Sequence, residues 1–297
     1  MAWPDRGTLE ALEARVERAL QAGGPGDLQV LGYGEISAVL ALDAPAGRFA
    51  CKRLPPFEGA GALEGYRACL EEYLAVLAAR GVTVAPTALL HLPRPGGRLA
   101  AYCVQAAIPA GALLPAELAR AGEGRARALF RRLLEAVERA VGPDLGLDGQ
   151  VSNWAVAGDD LVYLDVTTPL RRDGAGAERL DTGLFLASLP WALRGTVRRF
   201  LLREILDKYY QPRGVVLDAL ANLEKERLDR WLPAFLEEAN ARLQPALGEE
   251  EVRRYYASDA RTWALLQRLR RLDRAWQRRI RRRTYPFLLP GRIERHV

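Results

Sequence analysis

The stretch that most constrains this chain is Gly146-Leu147-Asp148-Gly149-Gln150-Val151-Ser152-Asn153, with Leu161-Val162-Tyr163-Leu164-Asp165 close behind it. It reads as a polar loop, then a short apolar strand ending in an acid. Three side chains stand out, in the order Asp148, Asn153 and Asp165. Such a set can put one carboxylate beside a nucleophile, and an amide plus a second carboxylate on a divalent cation. Hard cations such as Mg²⁺ take oxygen ligands, binding through one or two carboxylates and substrate phosphates. Asp and Asn are also ordinary turn residues, so two turns flanking a hairpin is the competing reading.

Composition removes several function classes. No run of eighteen apolar residues occurs, so no transmembrane helix is expected. The start, Met1-Ala2-Trp3-Pro4-Asp5-Arg6, lacks a basic segment followed by an apolar core, so a secretory signal is not expected. Cys51, Cys69 and Cys103 sit in apolar surroundings without metal-ligand spacing. They read as buried thiols of a reducing cytoplasm, which is the predicted location. With His91 and His296 as the two histidines, a Ser-His-Asp triad or a multi-histidine metal site is nearly excluded. Of 43 basic residues only Lys52, Lys208 and Lys225 are lysine, which makes each lysine informative.

The chain begins with an amphipathic helix over residues 8–22, with Leu9, Leu12, Val16 and Leu20 at helical spacing. Residues 28–42 read as strand, glycine turn, strand, and Arg48 to Leu54 as a third strand. Gly32 and Gly34 fit Gly-x-Gly, with Ser37 in place of a third glycine. A loop that lays N–H groups against phosphates has no room for bulky Cβ atoms at its closest points. This loop joins two strands, whereas a Rossmann or P-loop turn opens a helix, so dinucleotide binding of that type is disfavoured. Lys52 lies on the third strand after Phe49, Ala50 and Cys51. A buried ammonium is expensive unless its charge is used, and a compact point charge suits a phosphate pair. The alternative is an edge lysine that snorkels to solvent.

A helix over 61–80 carries Leu63, Tyr66, Leu70, Tyr73, Leu74 and Leu77 on one face, with Glu71 and Glu72 within it. Two strands, Thr87 to Leu92 and Leu99 to Gln105, precede a linker at 106–111. Helices at 115–121 and 125–141 then lead into the polar loop.

This order (glycine hairpin, strand lysine, helix with glutamate, two strands, linker, long helix, Asp-x4-Asn, strand-Asp) resembles the protein-kinase-like superfamily. The likeness is nearest to its aminoglycoside phosphotransferase and choline kinase branch, and it covers Leu28 to Asp165. The resemblance implies an α+β bilobal fold: a small antiparallel-sheet lobe with one helix, and a larger, mainly helical lobe. The corresponding divisions are residues 1–26, 27–106 and 107–297. It implies an ATP- and Mg²⁺-dependent phosphotransferase acting on a hydroxyl of a small molecule. Gly32, Gly34 and Ser37 would cover the nucleotide phosphates, and Lys52 would contact two of them. Glu71 or Glu72 would pair with Lys52. The backbone of Ala106 and Ile108 would meet adenine. Asp148 would accept the substrate proton, and Asn153 and Asp165 would hold Mg²⁺. The chain departs from the pattern where Gly146-Leu147 replaces the usual histidine and Val166-Thr167 replaces Phe-Gly, and Ala-Pro-Glu is absent. The last two departures argue against an ordinary protein kinase and leave small-molecule phosphorylation or an atypical protein kinase. They leave a catalytically inactive nucleotide-binding module as an alternative.

Arg171 and Arg172, just past Asp165, read either as holding an anionic acceptor or as part of a solvated loop. Asp181 reads as a helix N-terminal acid. The last helix, residues 259–283, has nine arginines between Arg268 and Arg283 and an apolar stripe of Leu265, Leu266, Leu269, Leu272, Trp276 and Ile280. Its preferred reading is a stripe docked on the helical lobe with arginines in water. Its alternative is a nucleic-acid or anionic-membrane contact.

Overall fold

The computed structural model describes residues 2–34, 38–187 and 189–290, and Ser37 lies outside them. Helix α1 (Arg6–Ala22) starts where the Asp5 side chain accepts from the Thr8 N–H at 2.8 Å, and ends at Gly23 with φ 85. That left-handed stop suits glycine, which has no Cβ to clash.

A five-stranded antiparallel sheet follows: β1 (Val30–Tyr33), β2 (Ala38–Ala44), β3 (Gly47–Arg53), β4 (Thr87–Pro93) and β5 (Leu99–Ala106), in the order β1-β2-β3-β5-β4. Side chains alternate across a strand. Phe49 and Cys51 therefore join Leu40, Leu42, Tyr102 and Val104 against Leu9, Leu12 and Val16 of α1. Ala50 and Lys52 fall on the opposite face. The docking of α1 also carries a buried ion pair, with two of the three Arg53 side-chain nitrogens on Glu13 at 2.7 and 2.9 Å and the Tyr102 hydroxyl donating to the same carboxylate.

Helix α2 (Ala60–Ala79) covers the other face of the sheet through Leu63, Tyr66, Leu70, Tyr73 and Leu77. The same apolar cluster runs on into the helical part of the chain. That part comprises α3 (Leu114–Arg120), α4 (Glu123–Ala140), a hairpin of β6 (Trp154–Ala157) and β7 (Asp160–Tyr163), α5 (Thr182–Leu186), α6 (Trp191–Thr196), α7 (Leu202–Asp207), α8 (Pro212–Lys225), α9 (Leu232–Asn240) and α10 (Glu249–Arg279). A π-helical segment, Val197–Leu201, joins α6 to α7. Phe130 of α4 stacks on Phe235 of α9 with centroids 4.1 Å apart. Each such fully buried ring stabilises the fold by about 1.5–3 kcal/mol. The architecture is α+β, an antiparallel sheet in one part and helices in the other. Among the described residues no helix is long and apolar enough to cross a membrane.

Two expectations fail at the C-terminal end. The last helix begins at Glu249, well before 259, and its apolar stripe faces outward: Leu265, Leu272, Trp276 and Ile280 are exposed, while Gln267, Arg270 and Asp273 are buried. Its arginines do structural work instead. Arg274 donates to the Gly23 carbonyl at 3.1 Å, and Arg278 donates to Ala22 at 3.3 Å and Gln21 at 2.8 Å. Cations on the terminal carbonyls of α1 satisfy unpaired acceptors at the negative end of its dipole.

Candidate active site

The polar loop is held in place from below. Leu145, Leu147 and Val151 are fully buried, so the intervening Gly146, Asp148 and Gly149 are fixed between anchors. The Gly146 N–H donates to Leu170 O at 2.9 Å and the Leu147 N–H to Tyr209 O at 3.0 Å. A Cβ on Gly149 would sit 2.5 Å from Val215 Cγ1, so glycine is what lets the loop lie against α8. From above, α2 clamps the same loop: the Tyr73 hydroxyl donates to Gly146 O at 3.1 Å, and Arg80 holds Asp144 at 2.7 and 2.9 Å.

Asp148 and Asn153 are joined directly, the Asn153 Nδ2 donating to the Asp148 carbonyl at 3.3 Å. That leaves the Asn153 Oδ1 as the side chain's acceptor. The Leu164 N–H donates to Asn153 O at 2.9 Å, and this sets the end of β7 beside the loop. Asp165, next along, takes the Lys52 Nζ on its Oδ1 at 2.7 Å and the Thr167 hydroxyl at 2.9 Å. Lys52 thus reaches from the sheet to the helical part. Gln105 reinforces the junction by donating to Leu164 O at 2.9 Å.

The two carboxylates are in opposite electrostatic states. Burial alone would raise Asp165, but the Lys52 charge, its hydrogen bond and the Thr167 hydroxyl outweigh that and hold it below the usual range. Burial, then the charges of Asp218 and Asp165, push Asp148 up to about 7. Two carboxyls with divergent pKa values can play different parts, one as a fixed anion and the other as a group able to exchange a proton near neutrality.

The expected ion pair between Lys52 and Glu71 or Glu72 does not form. The side of α2 turned to the site carries Tyr66, Leu70 and Tyr73, so the acids at 71 and 72 are rotated away from it. Glu71 is exposed. Glu72 is bound by Arg171 and Arg179, each at 3.0 Å. In the place of the expected acid, the Tyr66 hydroxyl donates to Thr167 O at 2.9 Å. Arg171 and Arg172 are structural too: Arg171 also binds Asp144 at 2.9 Å, and Arg172 binds Glu178 at 2.7 Å and Asp207 at 2.6 Å. Asp181 caps α5 by accepting from the Gly183 N–H at 2.8 Å.

Gly32 lies in β1 opposite Val39, and among the described residues no atom stands within 4 Å of where its Cβ would be. Its φ is not positive, so backbone conformation does not demand glycine there. Gly34 ends the described part of that loop. At the far edge, the Ala107 N–H donates to Arg48 O at 2.9 Å. The alternation of an antiparallel ladder then turns the Ala106 carbonyl toward the β4 side, where Pro86 has no N–H to give. Among the described residues no hydrogen bond engages the Ile108 N–H.

Behind Asp148 lies a network the sequence reading did not single out. Asp218 of α8 accepts from Lys208 at 3.1 Å, Tyr255 at 2.6 Å and Gln150 at 3.0 Å, and Gln150 in turn accepts from Asn222 at 3.0 Å. The signal was present: Lys208 is one of the three lysines in an arginine-writing chain.

For a cation, the fit is of one kind. No group of three or more His, Cys, Asp or Glu side chains is gathered for a metal ion among the described residues. The Asn153 amide oxygen and the ionised Asp165 form a two-donor, all-oxygen set, which suits Mg²⁺ that keeps waters and shares phosphate oxygens. No curated protein matches the chain. The model of a Family of unknown function (DUF6206) matches residues 11–274, a span that takes in the sheet, Lys52, the polar loop and Asp165, and the chain belongs to that family.

Proposed function

We propose that this protein is an ATP- and Mg²⁺-dependent phosphotransferase that acts on a hydroxyl of a small molecule, its sheet and helical parts forming the two lobes of a kinase-like fold. The observation that carries the reading is the 2.7 Å Lys52–Asp165 pair, drawn from opposite parts of the chain and set beside a carboxyl raised to about 7. When bound, the Mg²⁺-nucleotide supplies the transferable phosphoryl group and neutralises its developing charge.

The chain's own residues do the rest. Lys52, which now holds Asp165, would hold nucleotide phosphate oxygens. Asp165, kept ionised, and Asn153 present oxygens to the metal. The Ala106 carbonyl and Ile108 N–H offer an acceptor and a donor to the adenine edge. Asp148 orients the acceptor hydroxyl and takes its proton, a role matched to a pKa near the working pH. Positioning and charge neutralisation are what phosphoryl transfer requires of a protein. The sheet–helix junction supplies both.

The test is calorimetry of ATP with Mg²⁺ on the wild type, Lys52→Ala, Asp165→Asn and Asp148→Asn. A charge-assisted contact contributes about 1.5–3 kcal/mol, so Lys52→Ala should weaken binding by roughly tenfold or more. Asp165→Asn should remove the Mg²⁺ dependence, while Asp148→Asn binds normally and abolishes turnover. A wild type that binds no nucleotide would overturn the proposal. Binding without phosphoryl transfer to any hydroxyl compound would remove its catalytic half.

A further inference from the structure

Helix α10 is built with its faces reversed. Gln267, Arg270 and Asp273 are 6%, 2% and 7% exposed, while Leu265, Leu272, Trp276 and Ile280 are 57%, 66%, 46% and 63% exposed. At 3.6 residues per turn those four outward side chains fall within an arc of about 80°. They form one stripe, about 22 Å long at 1.5 Å per residue. Exposed Arg261, Arg268 and Arg279 run along one edge of it, each within about 60° of Leu265 on the helical wheel. From Arg261 to Pro290 the only acid is Asp273, and it is buried.

We propose that this face lies on an anionic lipid surface, with α10 in the plane of the headgroups. The chemistry is that of an interfacial helix: an apolar stripe with a tryptophan, flanked by arginines that meet lipid phosphates. Arginines add affinity for an anionic leaflet, and the contact weakens with salt over a Debye length. Insertion stays shallow, since no described helix can cross a bilayer.

The charges argue against a second copy of the chain. Stripe on stripe in the antiparallel sense would set Arg261, Arg268 and Arg279 of one copy against those of the other, with no exposed acid between residues 261 and 290 of either to answer them. A coiled-coil partner fares no better, because extending the Leu265–Leu272 heptad places Arg279 in the seam. A nucleic acid would use the arginines but has no use for leucine and isoleucine. The proposal is independent of the phosphotransferase reading.

The experiment is co-sedimentation of the full chain with vesicles of phosphatidylcholine alone and of equal parts phosphatidylcholine and phosphatidylglycerol, at low and high salt. Leu272→Asp and Trp276→Ser are compared with the wild type after thermal melting shows that both still fold. The wild type should pellet with the anionic vesicles at low salt and stay in solution with the neutral ones. Each substitution should lower partitioning by roughly tenfold, the loss of one buried apolar side chain. Failure to pellet with anionic vesicles, equal pelleting with neutral ones, or indifference to both substitutions would overturn the proposal. A dimer dissolved by Leu272→Asp would overturn it too, assigning the face to a second copy. RNA binding that survives Leu272→Asp, without vesicle binding, would overturn it in favour of a polyanion.

Discussion

Asp148→Asn should make the protein more stable, and only above a definable pH. The carboxyl is raised from 3.8 to about 7 by burial and by the facing charges of Asp218 and Asp165, with Lys208 pulling the other way. Below pH 3.8 the group is protonated folded or unfolded, and it contributes nothing. Between that value and about 7 the unfolded chain releases the proton and the folded chain keeps it, so wild-type stability falls as pH rises through this window. Above about 7 the whole penalty is present. A shift of this size has a ceiling of about 4 kcal/mol at about 1.4 kcal/mol per unit. Asp148 is only half-buried, and solvent screening brings the expectation to about 1–3 kcal/mol. Asparagine is isosteric and keeps an oxygen for the Gln150 N–H, which now donates to Asp148 at 3.2 Å. Urea unfolding without Mg²⁺ at about pH 5 and about pH 8.5 reads the effect as a gap in stability that widens with pH. A gap of the same size at both values, or a variant less stable at both, would refute the argument that Asp148 is held uncharged by its neighbours.

Two other substitutions test the supports of the site. Gly149→Ala drives a methyl against Val215, whose Cγ1 is 2.5 Å from the position it would take, and should cost about 1–3 kcal/mol in urea unfolding. The cost should shrink when Val215→Ala is present, and a cost unchanged in that background would show that contact not to be its source. Glu13→Gln leaves Arg53 buried against a neutral partner and should cost about 3–5 kcal/mol. Burial works to raise Glu13, but Arg53, Tyr102 and Arg94 overcome it and hold the pKa below 4.5. Its contribution is therefore complete above pH 4.5 and lost as pH falls through the lower, folded value. An acid titration of the wild type followed by circular dichroism should show that component, and the Gln variant should lack it.

How much of the site could be read from the chain varies with the distance between partners. Lys52 stood out because it is one of three lysines in an arginine-writing chain and lies in an apolar strand, where an ammonium is expensive unless its charge is used. Asp148 and Asn153 share one loop, so their joining is a local matter. The partner of Lys52 was not local. Glu71 and Glu72 are nearer in sequence, yet helical geometry turns them away, and the lysine pairs with an acid 113 positions along the chain. The same holds for Arg171 and Arg172, which read as holding an anionic acceptor or as part of a solvated loop and prove to be ion-paired with Glu72, Asp144, Glu178 and Asp207. Rarity marked Lys208, but no pattern linked it to Asp218 and Tyr255.

By itself the sequence determined the leading helix, the strands of the sheet and the helix between them, because periodicity, glycine stops and caps act over a few residues. It determined as well that Asp148, Asn153 and Asp165 follow one another with the spacing a small oxygen-rich site needs. Only the tertiary structure decided which faces meet. The apolar stripe of α10 has a period that any reading would find, but a period carries no direction. Its arginines bond to the end of α1 and its polar residues turn inward, so the leucines and the tryptophan are left facing water. Side-chain pairing in three dimensions depends on how elements cross, and crossing is fixed by the packing of the whole core rather than by the residues of any one helix.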